Sequence, residues 1–198
     1  MGKFHEAEVH RLHPTQITVG MIEVKDKIVE LDRLKSRDRR DFLAAHPVPA
    51  VEGPGGRLYI TDHHHLGRAL TEAGVEVGFF TLEADYSTLN LDAFWVEMDR
   101  QKWVHPYDAS GQKRAFAEIP HHVGALVDDP YRSLAGYVRN GGGYQKSPAA
   151  FAEFLWADFF RTRISIGPDR AAFLLAVEQA VALARTPAAK QLPGYIHG

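Results

Sequence analysis

Between Arg57 and Leu70 the stretch "RLYITDHHHLGRAL" changes its hydrophobic period. Leu58 and Ile60 alternate with Tyr59 and Thr61, the two-residue period of a strand. From Leu66 the apolar positions Leu66, Ala69, Leu70 and Ala73 recur at three- and four-residue steps, the period of a helix, and Gly74 is placed to end it. A strand that passes straight into a helix demands an α/β or α+β domain. The join, Asp62–His65, carries three consecutive histidines. Free backbone N–H groups and the helix dipole at such a join favour an anion. A histidine there can donate to a phosphate oxygen or move a proton near neutral pH, and Asp62 can fix its tautomer or hold a metal. The plainer reading stays beside this one: Asp62 caps the helix and the histidines are turn residues.

The flanking sequence supplies the rest of the domain. Glu8–Leu12 reads as a short strand. Met21, Val24, Ile28, Leu31 and Leu34 keep helical spacing, with Glu23 and Lys27 four apart in the favourable order. "SRDRRDFLAAHP" is a charged helical segment ended by Pro47. "VPAVEGPGGRLYITD" gives two strands around a Gly/Pro turn at Gly53–Gly56, and "VEVGFFTLEAD" a further strand. The order is strand–helix–helix–strand–strand–helix–strand, ending near Asp85. The remainder is mainly helical. Leu91, Phe94, Trp95 and Met98 form one stripe. A helix is expected after Ser147 and Pro148, and another over "GPDRAAFLLAVEQAVALART", with Pro187 beyond it. The expected division is 1–86 for the α/β domain and 87–198 for a helical region.

Bulk properties exclude several classes. The chain has 198 residues, 45% hydrophobic and 24% charged, with a formal charge of -2 and no cysteine. Disulfides, thiolate catalysis and Cys-type zinc sites are therefore ruled out. No apolar run approaches the roughly 18 residues of a membrane span. "MGKFHEAEVHRLHP" lacks the apolar core of a secretory signal, so a cytoplasmic location without membrane association is expected. The near-neutral charge does not suit a DNA-coating protein. The one dense basic run, "RLKSRDRR" (Arg33–Arg40), is diluted by two aspartates.

"DHHHLGRAL", Asp62 to Leu70, resembles the motif that follows a strand in the ParB/sulfiredoxin superfamily, of the type D-G-H-H-R-L-x-A-L. "LHPTQITVGMIEVKDKIVEL" is similar to that superfamily's first block: a strand, Pro-x-Gln, then a helix carrying Glu and Lys. The likeness covers 8–85. Across most of the chain, "DDPYRSLAGYVRNGGGY" and "FAEFLWADFFRTRI" included, the sequence resembles the putative ParB-like nuclease family. The resemblance implies an α+β chain, a small ParB/sulfiredoxin-like α/β domain followed by an α-helical C-terminal region. Sulfiredoxin chemistry needs a motif cysteine, which is absent. The partition clamps bind CTP through Gly-Glu-Arg-Arg, where this chain has His63, His64, His65 and Leu66. The free serine kinases of the superfamily use Asp-Gly-His-Thr-Arg and an upstream glutamate. Asp62 and His64 match that Asp and His, and Glu23 stands for the glutamate. Two positions depart: His63 replaces a glycine and Leu66 an arginine, with Arg68 half a turn further on.

The function expected from this reading is a phosphate-handling enzyme: nucleotide hydrolysis, phosphoryl transfer or nuclease activity. Glu23 would activate the nucleophile, and His64 and His65 would contact phosphate or move protons. Asp62 would bind Mg2+ or Mn2+ or orient a histidine. Lys27, His63, Arg68 and Arg132 would bind phosphate, the His64 ring lying beside it rather than in the core. The expected partner is a nucleotide or other phosphate-bearing small molecule. A non-catalytic DNA- or nucleotide-binding partition-type adaptor is the second reading, with nucleic acid not favoured. In the second half, Arg132 and Arg139 could clamp an anion, and Glu153 could pair with Arg161 two turns on. The plainer alternative is that Asp129 caps a helix with Pro130 in its first turn and Gly141–Gly143 form a linker.

Overall fold

The computed structural model describes residues 3–197 as an α+β fold with a helical C-terminal region. The chain forms two compact units: residues up to Val19 with Glu23–Asp128, and Gly20–Ile22 with Asp129 onward. The segment from α4 (Leu91–Arg100) to Asp128, placed by sequence with the helical region, clusters with the sheet.

The first unit is built on a mixed five-stranded sheet. Its strands are β1 (Lys3–Glu8), β2 (Leu12–His13), β4 (Val48–Gly53), β5 (Arg57–Ile60) and β6 (Val77–Asp85), in the order β1-β6-β4-β5-β2. A second, two-stranded parallel sheet joins β3 (Thr18–Val19) to β7 (Val127–Asp128). The helices are α1 (Met21–Arg33), α2 (Ser36–Ala45), α3 (His64–Glu72) and α4. The expected strand at Glu8–Leu12 is instead a break between strands. Val9–Arg11 forms one 3-10 turn with Val9 buried, which lets the chain leave β6 for the far edge beside β5.

Residue alternation places a layer on each face of the sheet. Val51 and Tyr59 are register partners and pack with Phe94, Trp95 and Met98 of α4. Ala50 and Ile60, one step along, point the other way. The Ile60 side chain lies 3.2 Å from where a Cβ on Gly67 of α3 would sit. Gly53 is required by the α4 side, since a Cβ there would come within 2.6 Å of the Tyr59 ring. Leu91 of the expected stripe is exposed, while Phe94, Trp95 and Met98 are buried.

The second unit packs α5 (Pro130–Asn140) against α6 (Ala152–Arg161) and α7 (Arg170–Ala184). Its core holds Leu134, Val138, Trp156, Phe160 and Phe173. Ala176, Ala180 and Ala184, four apart on α7, keep that helix face small. Trp156 stacks on Tyr144 with centroids 4.2 Å apart and donates its Nε1–H to the Pro193 carbonyl at 2.8 Å. The Gln145 N–H donates to the Gly194 carbonyl, and Tyr144 bridges to Tyr195, so residues 193–195 strap this core. Helix α6 starts four residues later than Pro148. Ser147 Oγ accepts from the Ala149 N–H at 3.2 Å in a local turn, and Phe151 at φ 59° then opens the helix.

Candidate functional site

The strand-to-helix join is tighter than the period change indicated. Helix α3 begins at His64, so His64 and His65 are its first helical residues and only Thr61–His63 make the turn. Thr61 donates from Oγ1 to Glu83 at 2.7 Å. The exposed Asp62 accepts the His63 N–H on Oδ1 at 2.7 Å, so it braces the turn without capping the first helical N–H groups. His63 takes φ 60° and ψ 29°, left-handed backbone that glycine adopts without strain and that histidine tolerates better than most residues. A glycine at this position of the superfamily motif thus has a backbone reason in addition to close approach.

The three histidines take three separate environments. His63 is exposed. His64 is buried, 5% exposed, and its Nε2 accepts the Thr15 N–H at 3.1 Å. Thr15 Oγ1 donates to the Ile60 carbonyl at 2.8 Å while lying 3.3 Å from the same ring nitrogen. The ring was expected outside the core, and it is buried. An imidazole on the inward face of α3 is enclosed with the end of β5, and its acceptor satisfies a backbone N–H that burial would otherwise strand. His65 turns toward α1: its Nε2 lies 3.2 Å from Glu23 Oε2, with side chains 14% and 16% exposed.

The structure therefore brings Glu23 and His65 together in the first turns of two helices, with Asp62 and His63 at the adjoining turn. Lys27 lies one turn further along α1 and is half-buried. Arg68 is engaged elsewhere. It holds Glu72 through Nε and Nη2, at 3.0 and 2.6 Å, and donates from Nη1 to the Leu126 carbonyl at 2.8 Å. These bonds tie α3 to the 123–126 segment. Among the described residues, no three His, Asp or Glu side chains converge as metal ligands. Asp62 could serve as a single carboxylate ligand, the way Mg2+ is often held beside substrate phosphate.

Two residues of this region went unread in the sequence. Thr15, at the centre of Pro-Thr-Gln, is buried and links β5, α3 and the His105 N–H, which donates to the Thr15 carbonyl at 2.8 Å. Its signal was its place in the Pro-x-Gln block. His13 packs at a tilt against Tyr59 and stacks on His122, with centroids 5.0 and 5.9 Å apart. Burial, then the charges of Arg57, His122 and His121, push His13 down to about 4.

In the helical unit, Arg132 is buried with its guanidinium 3.4 Å above the Phe154 ring. Arg139 pairs with Glu153, and Arg161 grips Asp129 with two bonds, at 3.1 and 2.7 Å. The expected Glu153–Arg161 pair is thus exchanged for two others, and Arg139 is half of an ion pair in place of an anion clamp. Asp129 caps α5 by accepting the Tyr131 N–H at 3.0 Å, with Pro130 in the first turn. In the basic run on α2, Arg40 pairs with Glu6 and Arg39 donates to the Leu31 carbonyl. No helix among the described residues is long and apolar enough to cross a membrane.

A family model described as "Putative ParB-like nuclease" matches residues 5–162. The chain belongs to the putative ParB-like nuclease family. A solved structure, that of protein Atu1540 from Agrobacterium tumefaciens, is similar over 99% of this chain and 97% of its own. It has a TM-score of 0.89 and 41% sequence identity. No curated protein matches the chain. Membership of the ParB-like nuclease family spans both units, so the "DDPYRS" segment at the start of α5 lies inside the family's extent together with the histidine turn.

Proposed function

We propose that this member of the ParB-like nuclease family is a phosphate-handling enzyme acting at the β5–α3 turn. The observation that carries the reading is the Glu23–His65 pair, 3.2 Å apart and partly open to solvent, at the N-terminal turns of α1 and α3. A carboxylate that holds one imidazole nitrogen fixes the tautomer, so the other ring nitrogen carries the lone pair that takes a proton from an attacking water or hydroxyl. The two helix N-termini favour the negative charge of a phosphate. Asp62 would hold Mg2+ or Mn2+ jointly with phosphate oxygens, the ion offsetting their charge. Lys27 and the exposed His63 supply further positive charge or donors. His64 and Thr15 hold the first turn of α3, and Arg68 braces it against the 123–126 segment. Nucleotide hydrolysis, phosphoryl transfer and phosphodiester cleavage share these requirements.

The test is a thermal-shift screen of nucleoside mono-, di- and triphosphates and inorganic phosphate, each with and without Mg2+ or Mn2+, followed by turnover assays on whichever compound stabilises. Stabilisation by a phosphate compound is expected, with turnover lost in Glu23→Gln while binding persists. A screen in which no phosphate compound stabilises the protein under either metal would sink the reading. Unchanged turnover in Glu23→Gln would do the same.

A further inference from the structure

A second group of histidines gathers at the β2 edge of the five-stranded sheet, and all of its members lie in the first unit. His13 ends β2 and is the register partner of Tyr59 on β5. Arg57 starts β5 two residues before Tyr59, so alternation sends both side chains to the face on which His13 lies. Across from Arg57 on β4 stands Gly53, which puts no side chain beside it. The His122 ring stacks on His13 with centroids 5.9 Å apart, and His121 precedes it in the chain. The segment that follows is anchored: Val123 and Leu126 are buried, and the Leu126 carbonyl accepts Arg68 Nη1. Arg57, His121 and His122 are exposed, and His13 is half-buried. A strand pair and an anchored turn thus hold three imidazoles and a guanidinium together at an open edge.

The cluster lacks an opposing charge. Among the described residues no ion pair joins any of its four side chains to a carboxylate. The groups that face the His13 ring are Arg57 and Tyr59 from β5 and His121 and His122 from the turn. Arg57 is positive, and each imidazole becomes positive on taking a proton. A bound oxyanion would offset charges that repel one another, and would accept N–H bonds from the rings and the guanidinium. We propose that Arg57, His13, His121 and His122 form an anion site for a phosphate-type oxyanion, separate from the β5–α3 turn. It stands independently of the Glu23–His65 reading. Burial and the neighbouring positive charges hold the empty His13 ring down to about 4, so the site takes up protons with its ligand and its affinity rises as pH falls.

The experiment titrates the full chain with sodium sulfate at constant ionic strength and follows the histidine rings by NMR. Sulfate keeps its own charge between pH 5.5 and 7.5, so any pH dependence belongs to the protein. Saturable movement of the His13 and His122 signals is expected, with binding about tenfold tighter at pH 5.5 than at pH 7.5. Saturating sulfate should raise the His13 midpoint by about 1 pH unit. Arg57→Gln, at an exposed position, should fold as wild type and weaken sulfate by about tenfold, and His122→Gln should weaken it likewise. Lys190→Gln, exposed in the helical unit, controls for general charge and should leave the affinity unchanged. Inorganic phosphate and adenosine monophosphate at pH 5.5 distinguish the source: either order of affinity supports the site, and the tighter compound assigns it to a free ion or a phosphomonoester. Rings that do not move, movement that does not saturate, or equal affinity in wild type and Arg57→Gln overturns the proposal. Sulfate that moves His65 alone overturns it too, while supporting the β5–α3 turn as the phosphate site.

Discussion

Replacing His64 with alanine separates a scaffold histidine from a ligand-binding one. The ring is 5% exposed, and its Nε2 is the acceptor for the buried Thr15 N–H. Truncation leaves that N–H without a partner, which costs on the order of 1–3 kcal/mol. It also opens a ring-sized void between α3 and the end of β5, adding roughly 1–2 kcal/mol if the walls relax in part. The sum is about 3 kcal/mol, which for a chain of this size lowers the melting temperature by roughly 6–12 °C. His64→Gln tests the mechanism, since its Oε1 can reach the place of Nε2; it should recover about 1 kcal/mol of the loss. Urea unfolding followed by circular dichroism reads both variants. Should His64→Ala unfold within about 0.5 kcal/mol of wild type, yet lose stabilisation by every phosphate compound, the ring would be a ligand contact and the burial argument wrong.

Three further outcomes follow from the geometry. His13 titrates near 4 in the fold against 6.5 in the unfolded chain, so the two states bind protons alike above pH 6.5. As pH falls from 6.5 to 4 only the unfolded chain gains the proton, and stability drops. The shift sets a ceiling of about 3 kcal/mol, reduced to about 1–2 by solvent screening of a half-buried ring. Urea midpoints at pH 7.5, 5.5 and 4.5 should fall less steeply in His13→Gln, and equal slopes would refute the assignment. His63→Gly relieves a left-handed φ and should stabilise the unliganded chain by about 0.5–1 kcal/mol net of glycine's greater unfolded freedom. A melting temperature that drops would show the His63 side chain making a contact worth more than the strain. Asp129→Ala removes the α5 cap and leaves Arg161 half of its grip. A loss of roughly 3 kcal/mol by thermal or urea unfolding is expected, and a loss under about 1 would mean that Asp158, 3.4 Å from the same guanidinium, takes over.

Periodicity carried the order of elements, because alternation in β5 and three–four spacing in α3 are written into adjacent side chains. It could not show β3 and β7, which are two residues long and have no period to display. The start of α3 was misplaced because burial of a polar ring such as His64 depends on a partner 49 residues away, Thr15. Ser147-Pro148 fits a helix start as well as it fits the turn it makes, and the positive φ of Phe151 has no composition cue. The meeting of Glu23 with His65 was legible only through the superfamily motif, since no local rule links α1 to α3. The pairs Arg139–Glu153 and Asp129–Arg161 were misassigned for the same reason. Arg139 has no carboxylate three or four residues away, and Arg161 takes the distant Asp129 in addition to its helix neighbour Asp158.

The strap over Trp156 sets an order of events during synthesis. The indole N–H and the Gln145 amide find their acceptors at Pro193 and Gly194, which leave the ribosome about 40 to 50 residues after the groups that need them. Strands β1 to β6 have all emerged long before then, so the sheet can assemble while the helical core waits with a buried-type tryptophan still wet. A ribosome paused before Pro193 would therefore present a folded sheet and an unfinished bundle, the state most exposed to proteases and to association through its aromatic face.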